Sequence, residues 1–248
     1  MNYSDIAWII LAFLFGGALK GTIGVGAPVV VVPILTIFFD IQTAVTTMVI
    51  PNLVTNLWQT YQYRQFIKSI RFVIKFALSG AIGAAIGTTL LISLSPAPLL
   101  LGLSSVIFMF VFFRIQKPNS IMSETVTRLL VIPCGLIGGV LQGSAGVSAP
   151  VSVTFLNLMK LKRNNFIPII SIYFVSMSLI QIPLLSSTGA LTPAYVLYSG
   201  LAVPIIFLGM IIGHITSRYI SENAFEKIVI WILFLMAIKL THRALTGQ

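Results

Sequence analysis

Residues 16–29 read GGALKGTIGVGAPV, and residues 138–151 read GGVLQGSAGVSAPV. Nine of the fourteen positions are identical at a constant offset of 122, so the chain carries an internal duplication. The same offset carries Gln59 onto Gln181, and an offset of 126 carries Gly83 and Gly87 onto Gly209 and Gly213. The two halves read as copies of one unit, with predicted bounds of 1–118 and 119–248.

The solvent of this unit follows from composition. Of 248 residues, 57% are hydrophobic and 8% are charged, too few to clothe a water-soluble domain. The apolar stretches are continuous rather than alternating, which predicts membrane helices and not a β-barrel. A net charge of +10 would point to nucleic acid in a soluble protein. Here the bases occupy short loops between apolar segments, where they set orientation, and no nucleic-acid partner is expected. Cys134 is the single cysteine, which excludes an intrachain disulfide or a cysteine cage for a metal. Residues 1–5 carry no Lys or Arg, which argues against a secretory leader and for an N-terminus outside the cytoplasm.

In the first copy the apolar segments are 6–19, 27–39, 43–63, 76–94 and 99–113; in the second they are 129–141, 149–159, 166–185, 194–215 and 225–240. The segments flanking each Gly-rich motif are about 11 to 14 residues, the length of re-entrant or half-spanning helices. Each pair is either one broken helix or a hairpin. Charge decides between them. Arg64, Lys68, Arg71 and Lys75 form one basic cluster, Arg114, Lys117 and Arg128 a second, and Lys160, Lys162 and Arg163 a third, with Arg218 and Lys227 a smaller group. A broken helix at the second motif would set the clusters before and after it on opposite sides of the membrane. A hairpin, with three full crossings per copy, puts all twelve of these bases inside. The uncharged links 95–98 and 186–193 then fall outside, as does Asp40. An odd number of crossings per copy inverts the second copy. The expected fold is therefore an all-α polytopic membrane protein of two inverted-topology repeats, each a short-helix hairpin with a Gly-rich break plus three transmembrane helices.

Each motif ends in Ala-Pro, at Ala27-Pro28 and Ala149-Pro150, and Pro suits a first helical turn. Two helix N-termini are thus predicted to approach the bilayer middle from opposite faces, with free N–H groups and partial positive charge that attract an anion. Gly21, Gly24, Gly26, Gly143 and Gly146 permit positive φ or close approach of backbone to ligand, and Thr22, Ser144 and Ser148 add hydroxyl donors. Close helix packing through small residues is the competing explanation. Lys20 beside the first motif is a counter-charge for an anion, or else a snorkelling base, and its repeat mate is the neutral Gln142.

After the first motif, Asn52, Asn56 and Gln59 fall on one helix face. Ser171, Ser178 and Gln181 make the corresponding face in the second copy. Such stripes line a pathway or tie neighbouring helices together. Thr46, Thr47, Tyr173 and Ser176 are weaker candidates for the same role. His214, near a helix end, is a candidate proton relay.

The leading hydrophobic arm, the motif KGTIGVGAP and its second copy GSAGVSAP resemble the TauE/SafE family of sulfite exporters over nearly the whole chain. The resemblance implies a multi-pass protein of a cell membrane, bacterial in setting, that handles sulfite, sulfonates or related sulfur-containing or organic anions. Gly24-Val25-Gly26-Ala27 stands where a Gly-Gly pair is common in that family, and Ser148 is a second departure.

The function expected is transport of a small anion, with export as its direction, because an inside-negative potential drives negative charge outward. An anion channel of the same fold is the alternative. A membrane-embedded enzyme is disfavoured, since no Asp or Glu lies within a predicted crossing and His214 and His242 are far apart in sequence. No cofactor, metal or catalytic residue is expected. The expected partners are a small anionic substrate and the lipid bilayer, and a homo-oligomer is compatible with the sequence. Both termini are predicted outside the cytoplasm.

Overall fold

Ten α-helices and one 3-10 turn make up the described residues of the computed structural model, which are 3–116, 122–216 and 222–246. Lys117, Arg218 and the boundary between the halves at 118/119 lie outside those residues, as do the side chains of Arg114 and Lys227. In chain order the helices are α1 (Tyr3–Ile23), α2 (Ala27–Phe38), α3 (Ile41–Tyr63), α4 (Ile70–Ser93) and α5 (Pro96–Gln116). The second set is α6 (Glu124–Ala145), α7 (Ala149–Leu158), α8 (Arg163–Ser187), α9 (Pro193–Thr216) and α10 (Glu222–Thr246). Among the described residues five helical stretches are long and apolar enough to cross a membrane: Asp5–Ile23, Ile70–Ser93, Glu124–Ala145, Arg163–Ser187 and Pro193–Thr216. The protein is accordingly a polytopic helical membrane protein. α3 is as long, at 23 residues, but its hydropathy is lowered by Asn52, Asn56 and Gln59, all of which are buried inside the bundle and screened from lipid.

The leading arms differ from the sequence expectation. They are not half-length helices: α1 has 21 residues and α6 has 22. Polar residues marked an end at Leu19 and Leu141, but LysGlyThr and GlnGlySer continue the helix because Lys20, Thr22 and Gln142 face other helices rather than hydrocarbon. Each helix stops one residue before a glycine in the left-handed region, Gly24 (φ 88°) or Gly146 (φ 70°). The Gly24 N–H donates to Lys20 O at 2.7 Å and the Gly146 N–H to Gln142 O at 2.9 Å, the same C-terminal cap in both copies.

The chain then turns back. A side chain at Gly16 of α1 would strike Val31 of α2, so the first pair is a hairpin. In the second, the Met122 N–H before α6 donates to Leu158 O at the end of α7 (2.9 Å), which brings the two ends of that hairpin together. α1 lies parallel to α9, with Gly17 against Ile206 and Gly209, Gly21 against Met210, and Gly213 against Ala18. α6 lies parallel to α4 in the same manner, through Gly83 and Gly139, then Gly87 and Gly143. A Cβ at Gly213 would sit 2.0 Å from Ala18 O, and one at Gly87 would sit 2.1 Å from Val140 O, so only glycine lets these backbones meet. In lipid such fit supplies much of the association energy, since apolar burial between helices gains little over contact with acyl chains.

Under exchange of α1 with α6, α2 with α7, α3 with α8, α4 with α9 and α5 with α10, the main helix pairs map onto each other: α1/α9 onto α4/α6, α4/α8 onto α3/α9, and α2/α10 onto α5/α7. The halves are interlocked rather than side by side. At their centre α3 and α8 are antiparallel, since Asn52 bonds Ser178 and Gln59 bonds Ser171.

Candidate anion site

The centre of the molecule is polar. Lys20 is 2% exposed, and its Nζ donates to Asn56 Oδ1 at 2.7 Å. Asn56 in turn donates from Nδ2 to Asn52 O (2.7 Å) and Asn52 Oδ1 (2.8 Å), and Asn52 Nδ2 donates to Ser178 Oγ at 3.3 Å. The chain of bonds thus runs from α1 through α3 to α8. One turn further along α3, Ser171 Oγ donates to Gln59 Oε1 at 3.3 Å. Gln181 is also buried on α8, and its Nε2 has no protein partner; nor has Oε1 of Gln142 on α6.

Electrostatically the cluster is one-sided. An ammonium carries three donors, and Asn56, a neutral amide, accepts one of them. Among the described residues no carboxylate pairs with Lys20. Placing a lysine at membrane depth costs at least ~2.5 kcal/mol, so an unpaired one marks a place where negative charge is welcome.

The helix starts that follow the two breaks, at Gly26 and Ala149, border one cavity, while the glycine caps before them lie apart. Gly24 packs on Ile167, near the start of α8, whereas Gly146 packs on Val32 and Val45, the latter near the start of α3. Because α3 and α8 are antiparallel, these contacts lie at opposite ends of the pair. The Asn52–Ser178 and Gln59–Ser171 register puts Ile167 opposite Tyr63, about five turns or roughly 27 Å from Val45. The reason is the full length of α1 and α6, which carries each break toward the far end of its parallel neighbour. The Lys20, Asn52, Asn56 and Ser178 cluster lies between the two breaks.

Other candidate residues fall into two groups. Thr22 Oγ1 donates to Ala18 O (2.9 Å) and Gly213 O (3.1 Å), and Ser144 Oγ donates to Val140 O (2.8 Å), so both hydroxyl protons are spent on backbone. Gly21 and Gly143 are helix-packing glycines against α9 and α4. Tyr173 stacks on Phe76 at 4.1 Å and donates to Gly135 O, while Ser176 donates to Ala77 O: both join helices. Thr46 Oγ1 is buried without a protein partner. Asp40, exposed, accepts from the Thr43 N–H and caps α3.

Gly26 and Ser148 precede the two Ala-Pro helix starts. Neither start has a side-chain cap, and the Val29 and Val151 N–H groups turn back onto the Gly26 and Ser148 carbonyls, both at 3.1 Å. Gly26 has φ 109° and Ser148 φ −101°, which accounts for glycine in one copy and serine in the other. Gly26 and Ala149 border one cavity of about 280 Å³, together with Asn157 and Arg163. A second cavity of about 270 Å³ is bordered by Gly21, Gln59, Gln62, Arg163 and His214.

Arg163 is therefore common to both, and its Nη2 donates to Gly21 O (3.0 Å) and Thr22 O (2.9 Å) at the end of α1. Sequence reasoning placed Arg163 only among loop bases. Nothing in the sequence signals its reach to the first motif, because that contact spans 142 residues and depends on α8 starting beside the end of α1. Among the described residues no three His, Cys, Asp or Glu side chains come together as a metal site.

Compared with known proteins, the sequence model of the family described as Sulfite exporter TauE/SafE matches residues 9–240. No curated protein and no solved structure matches the chain.

Proposed function

The chain belongs to the sulfite exporter TauE/SafE family, and on that premise we propose that it carries a small sulfur oxyanion or related organic anion outward across the cell membrane. The observation that carries this reading is the buried Lys20 ammonium, held by one neutral amide and by no carboxylate among the described residues. An anion supplies the missing charge. Asn52, Asn56 and Ser178 offer amide and hydroxyl donors beside it, and a sulfite or sulfonate oxygen takes such donors well. The substrate then sits near the membrane middle, between the two Gly-rich breaks.

The halves act as inverted repeats, 1–118 and 119–248, a reading supported by the antiparallel α3/α8 pair and the exchange of helix contacts. The end that carries Arg64, Lys68, Arg71, Lys75, Arg128, Lys160, Lys162 and Arg163 is the cytoplasmic one. The other end holds the start of α1 and the end of α10, whose Arg243 donates to the Thr36 carbonyl of α2, so both termini face outside. On the cytoplasmic side the cavity bordered by Gln59, Arg163 and His214 leads toward the centre, with Arg163 receiving the anion and His214 available to move a proton. The burial of Lys20, Asn52, Asn56, Gln59, Ser171, Ser178 and Gln181 fits a carrier that occludes its site better than an open channel. Each unpaired negative charge moving outward gains ~2.3 kcal/mol per 100 mV, which suffices for export without a coupled ion.

The test is flux of sulfite, sulfoacetate, thiosulfate and chloride in proteoliposomes under an imposed potential, with protein-free liposomes as control. The expected result is saturable, electrogenic flux that selects a sulfur oxyanion. Flux of chloride equal to that of the sulfur anions, without saturation, would establish the channel instead.

A further inference from the structure

On the basic end of the molecule a third cavity, about 490 Å³, opens between the starts of α4 and α6. Its polar border carries Lys68, Arg71, Lys75 and Arg128 against a single carboxylate, Glu124. Glu124 is already bonded to Arg128 at 2.6 Å, an exposed pair that contributes little. Three bases remain without a carboxylate in the cavity border. Its inner wall is apolar, with Phe72, Val131, Met159 and Ile169. From that wall Phe72 stacks on Phe76 and Phe155, and Phe76 on Tyr173. The cavity shares Leu161 with the one bordered by Gly26 and Arg163, and no polar residue.

The helix faces beside it are apolar and exposed. Along α4, Arg71 and Lys75 continue as Leu78, Ile82 and Ile86 at helical spacing, all on an exposed face. On α6, Leu129 and Ile132 are exposed beside Arg128. Bases at the head of an exposed apolar furrow between two membrane helices match one chemistry: a phosphate diester joined to acyl chains. We propose that this cleft binds an anionic glycerophospholipid, with Lys68, Arg71 and Lys75 on the phosphate and an acyl chain along Leu78, Ile82 and Ile132. The lipid ties the α3–α4 connection to the start of the second half.

The test is independent of transport. Full-length protein, stripped of lipid in detergent, is offered equal amounts of phosphatidylglycerol and phosphatidylcholine, and retained lipid is counted by native mass spectrometry. Wild type retains phosphatidylglycerol in preference. The Lys68→Gln/Arg71→Gln/Lys75→Gln variant loses that preference, by about fivefold for each base removed. A control with a base removed at the other end of the molecule, Lys239→Gln, keeps it. If the triple variant melts below wild type, the single Lys75→Gln is read in its place. Equal loss in Lys75→Gln and Lys239→Gln, or no preference in wild type, overturns the proposal. Displacement of the lipid by inorganic phosphate at matched concentration overturns it too, since the cleft would then hold a free oxyanion.

Discussion

Lys20 is where charge, burial and function conflict most sharply. Its ammonium is buried among neutral groups, so stability and activity should respond to its removal in opposite ways. Lys20→Gln, the residue of the second copy, keeps a donor for Asn56 and drops the charge. Thermal stability is expected to hold or rise, because a buried unpaired charge costs more than it returns. Flux should fall at least about tenfold, the effect of losing a charge-assisted hydrogen bond of 1.5 to 3 kcal/mol. Unaltered flux in proteoliposomes would remove Lys20 from the site. A second contrast at this scale lies between Gly26 and Ser148. Gly26→Ala forces an L residue to φ 109° and is expected to lower stability by about 1–2 kcal/mol. Ser148→Ala loses one hydroxyl contact, to Ser152 at 3.0 Å, and should cost about 1 kcal/mol or less. Unfolding in detergent measures both.

Between helices, packing rests on backbone contact at glycines. A Cβ at Gly213 meets the Ala18 carbonyl, which belongs to a helix and cannot yield, so Gly213→Ala is expected to destabilise by about 1–3 kcal/mol. Gly102 in α5 has open space around it, and Gly102→Ala should leave stability unchanged or raise it by about 0.5–1 kcal/mol through helix propensity. Equal melting temperatures for the two variants would mean that α1 and α9 do not pack this closely. The same contacts explain why Gly21 and Gly143 belong to helix packing although they sit inside the duplicated motif.

For the molecule as a whole, orientation is the property to test. With Cys134 replaced by serine, Ser69→Cys before α4 should react with a membrane-impermeant thiol reagent only from the cytoplasmic side. Ser187→Cys at the end of α8 should react only from outside. Both positions are exposed, so accessibility is not limiting. Labelling of both from one side would contradict the arrangement in which α4 and α8 start at the same end, and with it the inverted repeat.

The sequence determined the solvent, the duplication, the helical class and the residues of the polar stripes, because each of these depends on composition or on spacing along one helix. It placed Asn52, Asn56 and Gln59 on one face, and that face is buried. Only the tertiary structure decided which face meets which. The Lys20–Asn56 bond, the register of α3 against α8 and the arrival of Arg163 at the end of α1 join residues 36 to 142 positions apart. Helix length near the motifs was also beyond the sequence. A polar residue ends an apolar stretch on paper, yet continues a helix wherever a neighbouring helix shields it from lipid, and that shielding exists only once the two halves have packed.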